Sequence, residues 1–354
     1  MGMPIPAPTE KIQVGLLLPL TGDFAGWGQA WLQAAELALF EAPDSNVALS
    51  VRDTGGHPAQ AAQAARDVIQ KGAQLILGPG FGNELKAVAP VARAAGVNVV
   101  SFSTDKTVAG EGVFVMGILP EVQIERVVGY ASRQGLRQFA ALAPQSPYGQ
   151  IVAAALRDAA TRSGATVART EFYDPNILDS TPAIGQIGQF VSSGGHVDAL
   201  LIPEGGDRLR GIAPRLGEFG LDPTQVRLLG STLWADSGVE ADPTLVGSWY
   251  AAPDPTPWHA FQGRYRGTFG GDPPRFASIA YDATLLAVLL ASGPNGPDFS
   301  ISSLTEPAGF SGVDGIFRFR SDGSVERGLA IMEVRENRVD LREPAPHSFD
   351  EVIY

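Results

Sequence analysis

The 354-residue sequence has no cysteine, and its four histidines lie far apart along the chain. Disulfides, thiolate chemistry and cysteine-bound zinc are therefore excluded, and no two histidines have the spacing of a metal pair on one helix. Basic residues are also scarce, since 26 Lys and Arg stand against 38 Asp and Glu and the net charge is −12. Because nucleic-acid binding requires clustered positive charge, we expect no nucleic-acid partner.

Long apolar runs and the common catalytic motifs are missing as well. The longest uncharged segment, residues 138–156, contains Pro144, Pro147 and Gly149, which are unsuited to a membrane-spanning helix. The sequence has no Gly-x-Ser-x-Gly nucleophile motif, no Gly-x4-Gly-Lys-Ser/Thr phosphate loop and no Asp-rich calcium loop. We therefore expect a protein that is not an enzyme, has no transmembrane span and uses no metal or cofactor.

Strand and helix patterns alternate along most of the chain. Short apolar strands with helical patterns between them are predicted at residues 14–20, 47–53, 75–78 and 97–103, and a second round begins near residue 117. Such alternation predicts an α/β fold in which helices cover two Rossmann-like parallel-sheet lobes. Towards the C-terminus, polar and apolar residues alternate around Asp322–Gly323, which predicts an antiparallel hairpin.

The stretch LILGPGFGNE, residues 75–84, joins a predicted strand to a predicted helix through three glycines. It matches the dinucleotide-binding fingerprint only in part, because Asn83 stands where glycine is required, although Asp105 lies about where a ribose-binding acid is expected. A tight, closely packed turn is a second interpretation. In a third, exposed N–H groups at the helix N-terminus bind the anionic end of a small ligand.

A resemblance to a known family is carried by four segments of the sequence. In chain order they are VGLLLPLTGDFAGWGQAWLQAAELAL, DTGGHPAQAAQAARDVIQKGAQLILGP, PYGQ and IAYDATLLAV. They resemble the type I periplasmic binding proteins of the leucine/isoleucine/valine-binding class. Within that superfamily, ILGPGFGNELKAVAPVARAAGVNVVSFSTDKTVAG and PEVQIERVVGYA look most similar to the penicillin-binding protein activators, the periplasmic domain of LpoA-like lipoproteins.

The resemblance implies two α/β lobes joined by a three-strand hinge, with a ligand enclosed in the cleft between them. By analogy the first lobe comprises residues 11–119 and 250–325, and the second comprises residues 120–249 and 326–345. The resemblance also implies export to the periplasm. The opening segment MGMPIPAPTEK has no apolar signal core, so we expect that the signal region, and in a lipid-anchored precursor a lipidated cysteine, is absent from this sequence.

Ligands of open α/β sheets bind beyond the carboxyl ends of the strands, so candidate site residues are sought there. In the first lobe, strand-end backbone and hydroxyl groups resemble the family's clamp for an amino acid. In the second, Tyr148 matches the tyrosine that closes over the ligand, and Glu204 is placed to meet an ammonium group. The full set of predicted ligand-binding residues is Trp27, Phe81, Gly82, Asn83, Ser101, Ser103, Thr104, Tyr148, Glu204 and Trp234.

Each candidate also has a structural interpretation: Trp27 can pack a helix, Ser101 and Thr104 can satisfy turn backbone, and Glu204 can be a solvated acid. The family's run of small hydroxyl residues is replaced by Gly80, Phe81 and Gly82, which favours a larger or more apolar ligand than a standard amino acid. We therefore expect a non-catalytic solute-binding protein for ABC-type uptake or sensing, with a permease as partner. The alternatives are an LpoA-like regulator that docks on a peptidoglycan synthase and, from the glycine turn, an NAD(P)-dependent enzyme.

Overall fold

The computed structural model describes residues 11–235 and 237–350. Within them the chain forms two compact units: unit 1 contains residues 11–118 and 255–327, and unit 2 contains residues 119–254 and 328–350. The chain therefore passes from one unit to the other three times. Each unit is built around its own α/β core.

Unit 1 contains a five-stranded parallel sheet in the order β2-β1-β3-β4-β5. Apart from the edge strand β2, which is mostly half-buried, its strands are mainly apolar and buried, as expected for a parallel sheet covered by helices. The elements of this part are β1 (Ile12–Leu18), α1 (Ala25–Phe40), β2 (Val47–Asp53), α2 (Pro58–Gln70), β3 (Leu75–Leu77), α3 (Gly82–Ala95), β4 (Asn98–Ser101) and β5 (Val113–Val115).

The later segment of unit 1 adds helices and a small antiparallel sheet. Helix α9 packs along α1, and β12 pairs with both β11 and β13. The hairpin predicted around Asp322–Gly323 is confirmed, because β12 and β13 are antiparallel and flank that turn. These elements are α8 (Pro255–Phe269), α9 (Ser278–Ala291), α10 (Ile301–Leu304), β11 (Phe310–Gly312), β12 (Gly315–Phe319) and β13 (Val325–Arg327).

Unit 2 contains a seven-stranded sheet in the order β15-β14-β10-β9-β8-β6-β7. The strands from β10 to β7 are parallel, and β14 and β15 are added antiparallel at one edge. Its elements are α4 (Pro120–Arg133), β6 (Gln138–Pro144), α5 (Pro147–Arg162), β7 (Thr166–Tyr173), α6 (Thr181–Ser192), β8 (Ala199–Leu201), α7 (Gly206–Ile212), β9 (Arg227–Gly230), β10 (Trp249–Ala252), β14 (Ala330–Arg335) and β15 (Arg338–Glu343).

The strand β10 shows where the chain changes units. Tyr250, which the sequence prediction places in the first lobe, pairs in unit 2 with Gly230 of β9 and Met332 of β14. The whole strand therefore belongs to unit 2, and the crossing follows at Asp254 and Pro255. The predicted fold class, α/β with parallel sheets, is confirmed.

A search of the described helices finds none with the length and apolar character needed to cross a bilayer. Among the same residues, no three His, Asp or Glu side chains come together as a metal site would require.

Candidate functional site

The carboxyl ends of β1 and β2 in unit 1 meet in a loop network centred on Asp53. Its carboxylate accepts hydrogen bonds from the N–H groups of Leu20 (2.8 Å), Thr21 (3.2 Å) and Gly55 (2.8 Å) and from the Thr21 hydroxyl (2.6 Å). Partial burial opposes ionisation, but these hydrogen bonds outweigh it and hold the pKa of Asp53 below its ordinary value. Asp53 therefore fixes the loops that lead into α1 and α2.

The three glycines of LILGPGFGNE are explained by close packing. A Cβ atom at Gly78, whose φ is +79°, would lie 2.3 Å from the Leu17 carbonyl oxygen. At Gly80 it would lie 2.3 Å from the Trp31 ring, and at Gly82 it would lie 2.5 Å from the Asp105 carboxylate. Only glycine fits at these three approaches. Close packing of a tight turn is therefore enough to explain why glycine occupies these three positions.

Asp105, the candidate ribose-binding acid, is engaged elsewhere. Its carboxylate forms an ion pair with Lys86 (3.0 Å) and accepts a hydrogen bond from the Thr107 N–H (2.9 Å), which caps a short 3-10 helix. Partial burial of Asp105 raises its pKa, but the hydrogen bonds from Thr107 and the charge of Lys86 together outweigh burial and lower it. Nothing in this geometry supports a dinucleotide site.

Aromatic side chains gather at the same strand ends of unit 1. The Trp27 ring stacks on Phe276 with centroids 4.1 Å apart, and Phe24 lies 4.6 Å from Phe81. Beneath them, Trp31 contacts Phe81, Phe276 and Trp27 at 5.3–6.0 Å and donates a hydrogen bond from its Nε1 to the Phe276 carbonyl (3.1 Å). We call the residues Phe24, Trp27, Trp31, Phe81, Phe102 and Phe276 the aromatic cluster.

The aromatic cluster is open to solvent on one side. Trp27 is 44% exposed and Phe24 is 42% exposed, whereas Trp31 and Phe102 are buried. Gly28 makes this placement possible, because a Cβ there would lie 2.1 Å from the Pro19 carbonyl oxygen. The first turn of α1 can therefore pack directly on the end of β1 and hold Trp27 at the strand ends.

The polar residues of unit 1 that were predicted to bind ligand form hydrogen bonds mainly within their own loops. Ser101 is buried, and its hydroxyl donates to the Pro79 carbonyl (2.7 Å) and accepts from the Ser103 N–H (3.2 Å). Ser103 is also buried and accepts from the Asp105 N–H (3.0 Å). Thr104 is exposed, and Asn83, at the exposed start of α3, accepts from the Glu84 N–H (2.9 Å).

In unit 2, a polar group lies where β6, β7, β8 and β9 end. Tyr173, the last residue of β7, donates its hydroxyl hydrogen bond to Glu204 after β8. Tyr148 lies in the first turn of α5 and interacts with the Ser231 hydroxyl after β9. Burial and the neighbouring Glu204 carboxylate raise the pKa values of both tyrosines, so both are neutral donors at physiological pH.

Local sequence explains how Tyr148 reaches this position. Ser146 is the N-cap of α5 and accepts from the Gly149 N–H (3.2 Å), and Pro147 occupies the first helical turn. A Cβ at Gly149 would overlap the Pro144 carbonyl oxygen, so glycine lets α5 start immediately against the end of β6. The segment SPYGQ therefore combines a cap, a helix start and a close approach.

Trp234 takes a different place from the one predicted. It is fully buried, it donates from Nε1 to the Ile202 carbonyl (3.1 Å), and its ring covers Gly230. Its indole therefore fills the core of unit 2, and in this structure it offers no apolar wall to a ligand.

The sequence prediction missed several residues of these two groups, among them Phe24, Tyr173 and Phe276. Phe24 had a usable signal, because it precedes Trp27 by three positions and would share a helical face with it. Tyr173 ends an alternating strand, which is where functional residues were sought. Phe276 had no such signal, since only the packing of α9 against α1 brings it to Trp27.

The paired α/β units and their strand-end surfaces define a type I periplasmic binding protein fold. The sequence matches the family model described as periplasmic binding protein over residues 11–338, and the chain belongs to this family. A periplasmic location follows from that membership. The predicted recognition and fold are confirmed.

Individual proteins resemble this chain in sequence or in fold. An uncharacterized protein of Rickettsia prowazekii (strain Madrid E) is 26% identical over 168 residues, 47% of this chain and 44% of that protein, so the match spans less than half of that relative. Among solved structures, a protein assigned to branched-chain amino acid ABC transport in Rhodospirillum rubrum is 21% identical, with a TM-score of 0.81 over 94% of this chain and 99% of that one.

A second solved structure is an ABC transporter solute-binding protein of Rhodopseudomonas palustris BisB5 in complex with 3,4-dihydroxybenzoic acid. It is 18% identical, with a TM-score of 0.68 over 97% of this chain and 98% of that one. At these identities the two structural likenesses show a shared fold. Family and fold together support the predicted ligand-binding function and give no support to the synthase-regulator alternative.

Proposed function

We propose that this protein is a non-catalytic receptor for a small organic solute with a planar apolar body and delivers it to an ABC permease. The observation that carries the proposal is the aromatic cluster, whose Phe24 and Trp27 stay more than 40% exposed at the strand ends of unit 1. Exposed aromatic faces held by a buried aromatic base offer stacking partners at little entropic cost.

Unit 2 has a candidate surface of its own, which is polar. Glu204 is half-buried, and one of its oxygens accepts from Tyr173, which holds the carboxylate in place. Tyr148 and Ser231 lie beside it as neutral hydroxyl groups. Such a set favours a solute group that donates hydrogen bonds, an ammonium or a hydroxyl, over a second carboxylate.

Both features agree with the ligands of proteins that share the fold. The Rhodopseudomonas palustris protein holds 3,4-dihydroxybenzoic acid, which has a planar ring with two hydroxyl donors. The Rhodospirillum rubrum protein is assigned to branched-chain amino acids, which have an apolar body and an ammonium group. The panel for this chain therefore includes hydroxylated aromatic acids, aromatic amines and both aromatic and branched-chain amino acids.

The first test is native mass spectrometry of the freshly purified protein, followed by thermal unfolding in the presence of that panel. A ligand at 100 times its Kd stabilises the folded state by about 2.7 kcal/mol, which gives a readily measured rise in Tm. We expect at least one aromatic compound with a hydroxyl or ammonium donor to produce such a rise. A panel without any stabilising compound, together with no co-purified mass, would contradict the proposal.

Lipid anchoring and the permease partner are the finer parts of this proposal. They are tested with the full-length gene product expressed in its own host. Membrane fractionation decides the anchor, and co-purification with the permease in the presence of the identified solute decides the partner.

A further inference from the structure

Unit 1 contains a buried charge cluster whose residues are not members of the aromatic cluster. Its members are Asp282 of α9, Asp314 of the β11–β12 turn, Arg327 of β13 and Arg275 immediately before α9. The side chains of Asp282, Asp314 and Arg327 are at most 2% exposed. No part of the proposed solute site uses them.

The members of the buried charge cluster differ in how many of their polar atoms have a partner. Asp314 is well held, since Arg275 Nη1 lies 2.6 Å from its Oδ1 and the Ser278 hydroxyl donates to its Oδ2 (2.7 Å). Asp282 accepts from the Val313 N–H at Oδ1 (2.9 Å), but its Oδ2 has no hydrogen-bond partner. Arg327 donates from Nη2 to the Met116 carbonyl (2.7 Å), and its Nε and Nη1 have no hydrogen-bond partner.

The cluster touches all three segments through which the chain leaves or enters unit 1. Arg327 is itself the last residue before the third crossing, and Met116 lies two residues before the first crossing, at Ile118. The second crossing enters at Pro255, and Trp258, three residues later, lies under the Arg275 guanidinium at 4.3 Å from the ring centroid. We call these segments, residues 116–118, 255–258 and 325–327, the linker anchors.

Stability alone is a poor explanation for this arrangement. Burying charges costs several kcal/mol per ion, and apolar side chains of similar volume often serve stability as well or better. Leaving an oxygen of Asp282 and two nitrogens of Arg327 without partners adds to that cost. Buried polar groups that are only partly satisfied call for another role.

We propose that the buried charge cluster is a proton-operated lock on the linker anchors. With Asp282 protonated, Arg327 stays on the Met116 carbonyl and joins the first and third anchors. When Asp282 loses its proton, its unpartnered oxygen becomes a charged acceptor for the unpartnered nitrogens of Arg327. The guanidinium is then drawn away from Met116, and the anchors loosen.

The surroundings of Asp282 raise its pKa into the range of physiological pH. Burial and the neighbouring Asp314 carboxylate raise the pKa of Asp282 to about 7, against smaller opposing contributions from the Val313 N–H, Arg327 and the Asp314 N–H. Arg275 faces the cluster from the segment before α9. Glu326, the neighbour of Arg327 on β13, instead pairs with Arg318 (2.8 Å) and Arg320 (3.3 Å).

Hydrogen–deuterium exchange of the ligand-free full chain between pH 5.5 and 8.5, corrected for intrinsic exchange, tests the lock. As pH rises towards the pKa of Asp282 we expect protection of peptides covering the linker anchors to fall by up to about tenfold per pH unit, because one proton is released on opening. Above that pKa the protection should level off, because the closed state has then lost the proton as well. Peptides from α2 and α5 should keep their protection. Asp282→Asn, which is neutral at every pH, should hold the anchors protected throughout, and Asp158→Asn on exposed α5 is the matched control.

A second variant keeps the test decisive if Asp282→Asn does not fold. Asp314→Asn removes the like charge beside Asp282, so the midpoint of the wild-type transition should move to lower pH. Anchors whose protection does not depend on pH, or an Asp282→Asn protein that loosens as the wild type does, would overturn the proposal. So would a midpoint unmoved by Asp314→Asn. Because no solute is added, none of these outcomes depends on the proposed function.

Discussion

The indole of Trp27 stacks on the phenyl ring of Phe276 at 4.1 Å with the ring planes 17° apart, although the two residues come from opposite ends of the sequence. The contact joins α1 to the segment before α9 and leaves Trp27 44% exposed. A stacked pair with a solvent-facing edge is a suitable platform for a planar solute. The predictions on ligand binding begin from this pair.

Trp27→Ala removes the exposed half of the stack. We expect at least a tenfold loss of affinity for any solute that binds through the aromatic cluster, and a loss of about 1–2 kcal/mol in stability, less than for a buried tryptophan. Isothermal titration and urea unfolding measure the two effects.

The matched control is Phe40→Ala at the other end of the same helix. Phe40 is 77% exposed, and α1 rises about 1.5 Å per residue, so Phe40 lies roughly 20 Å along the helix axis from Trp27. Affinity should be unchanged in this variant. Equal losses in both variants would mean that the aromatic cluster is not where the solute binds.

Glu204→Gln is expected to weaken the binding of cationic solutes selectively. The variant keeps the shape of the side chain but removes the charge that attracts an ammonium group, so affinity for amine-bearing solutes should fall by tenfold or more. Solutes without a cationic group should bind nearly as before. Glu218→Gln, an exposed acid of the same unit, serves as the control for net charge, and an unchanged amine affinity in Glu204→Gln would count against the assigned role.

Gly80→Ala tests whether the glycine-rich turn is required for packing. The added Cβ would lie 2.3 Å from the Trp31 ring, so the ring or the turn must shift, at a cost of about 1–3 kcal/mol in unfolding free energy. Gly263→Ala within α8 is the control, because nothing lies within 4 Å of its added Cβ and alanine favours helix there. A Gly80→Ala protein as stable as the wild type would show that the turn has room to spare.

The stability of the protein should fall as pH rises through neutrality, and Asp282 should be a main cause. Its folded-state pKa of about 7 lies above the ordinary value of 3.8, so its contribution is complete below about pH 4 and is lost as pH rises through 7. Urea unfolding at pH 5 and pH 8 measures the loss. Asp282→Asn should remove most of this dependence, and an equally steep dependence in the variant would show that other groups cause it.

Much of the succession of strands and helices could be predicted because its signals are local. The apolar runs, the alternation of strand and helix and the hairpin at Asp322 each depend on residues close together in sequence. The predicted Phe81 and Tyr148 also lie at strand or helix ends, where the topology places them. Ser101 and Ser103 were found by the same rule, but their hydroxyls are committed to turn backbone.

What the sequence determined by itself was the alternation of strand and helix, the strand ends and the family. What only tertiary structure decided was which side chains meet. Packing of α9 on α1 brought Phe276 to Trp27, and packing of the segment after Gly230 buried Trp234 in the core of unit 2. The meeting of Asp282, Asp314 and Arg327 was likewise invisible in the sequence, because contacts between distant segments depend on how the whole core closes and leave no local pattern.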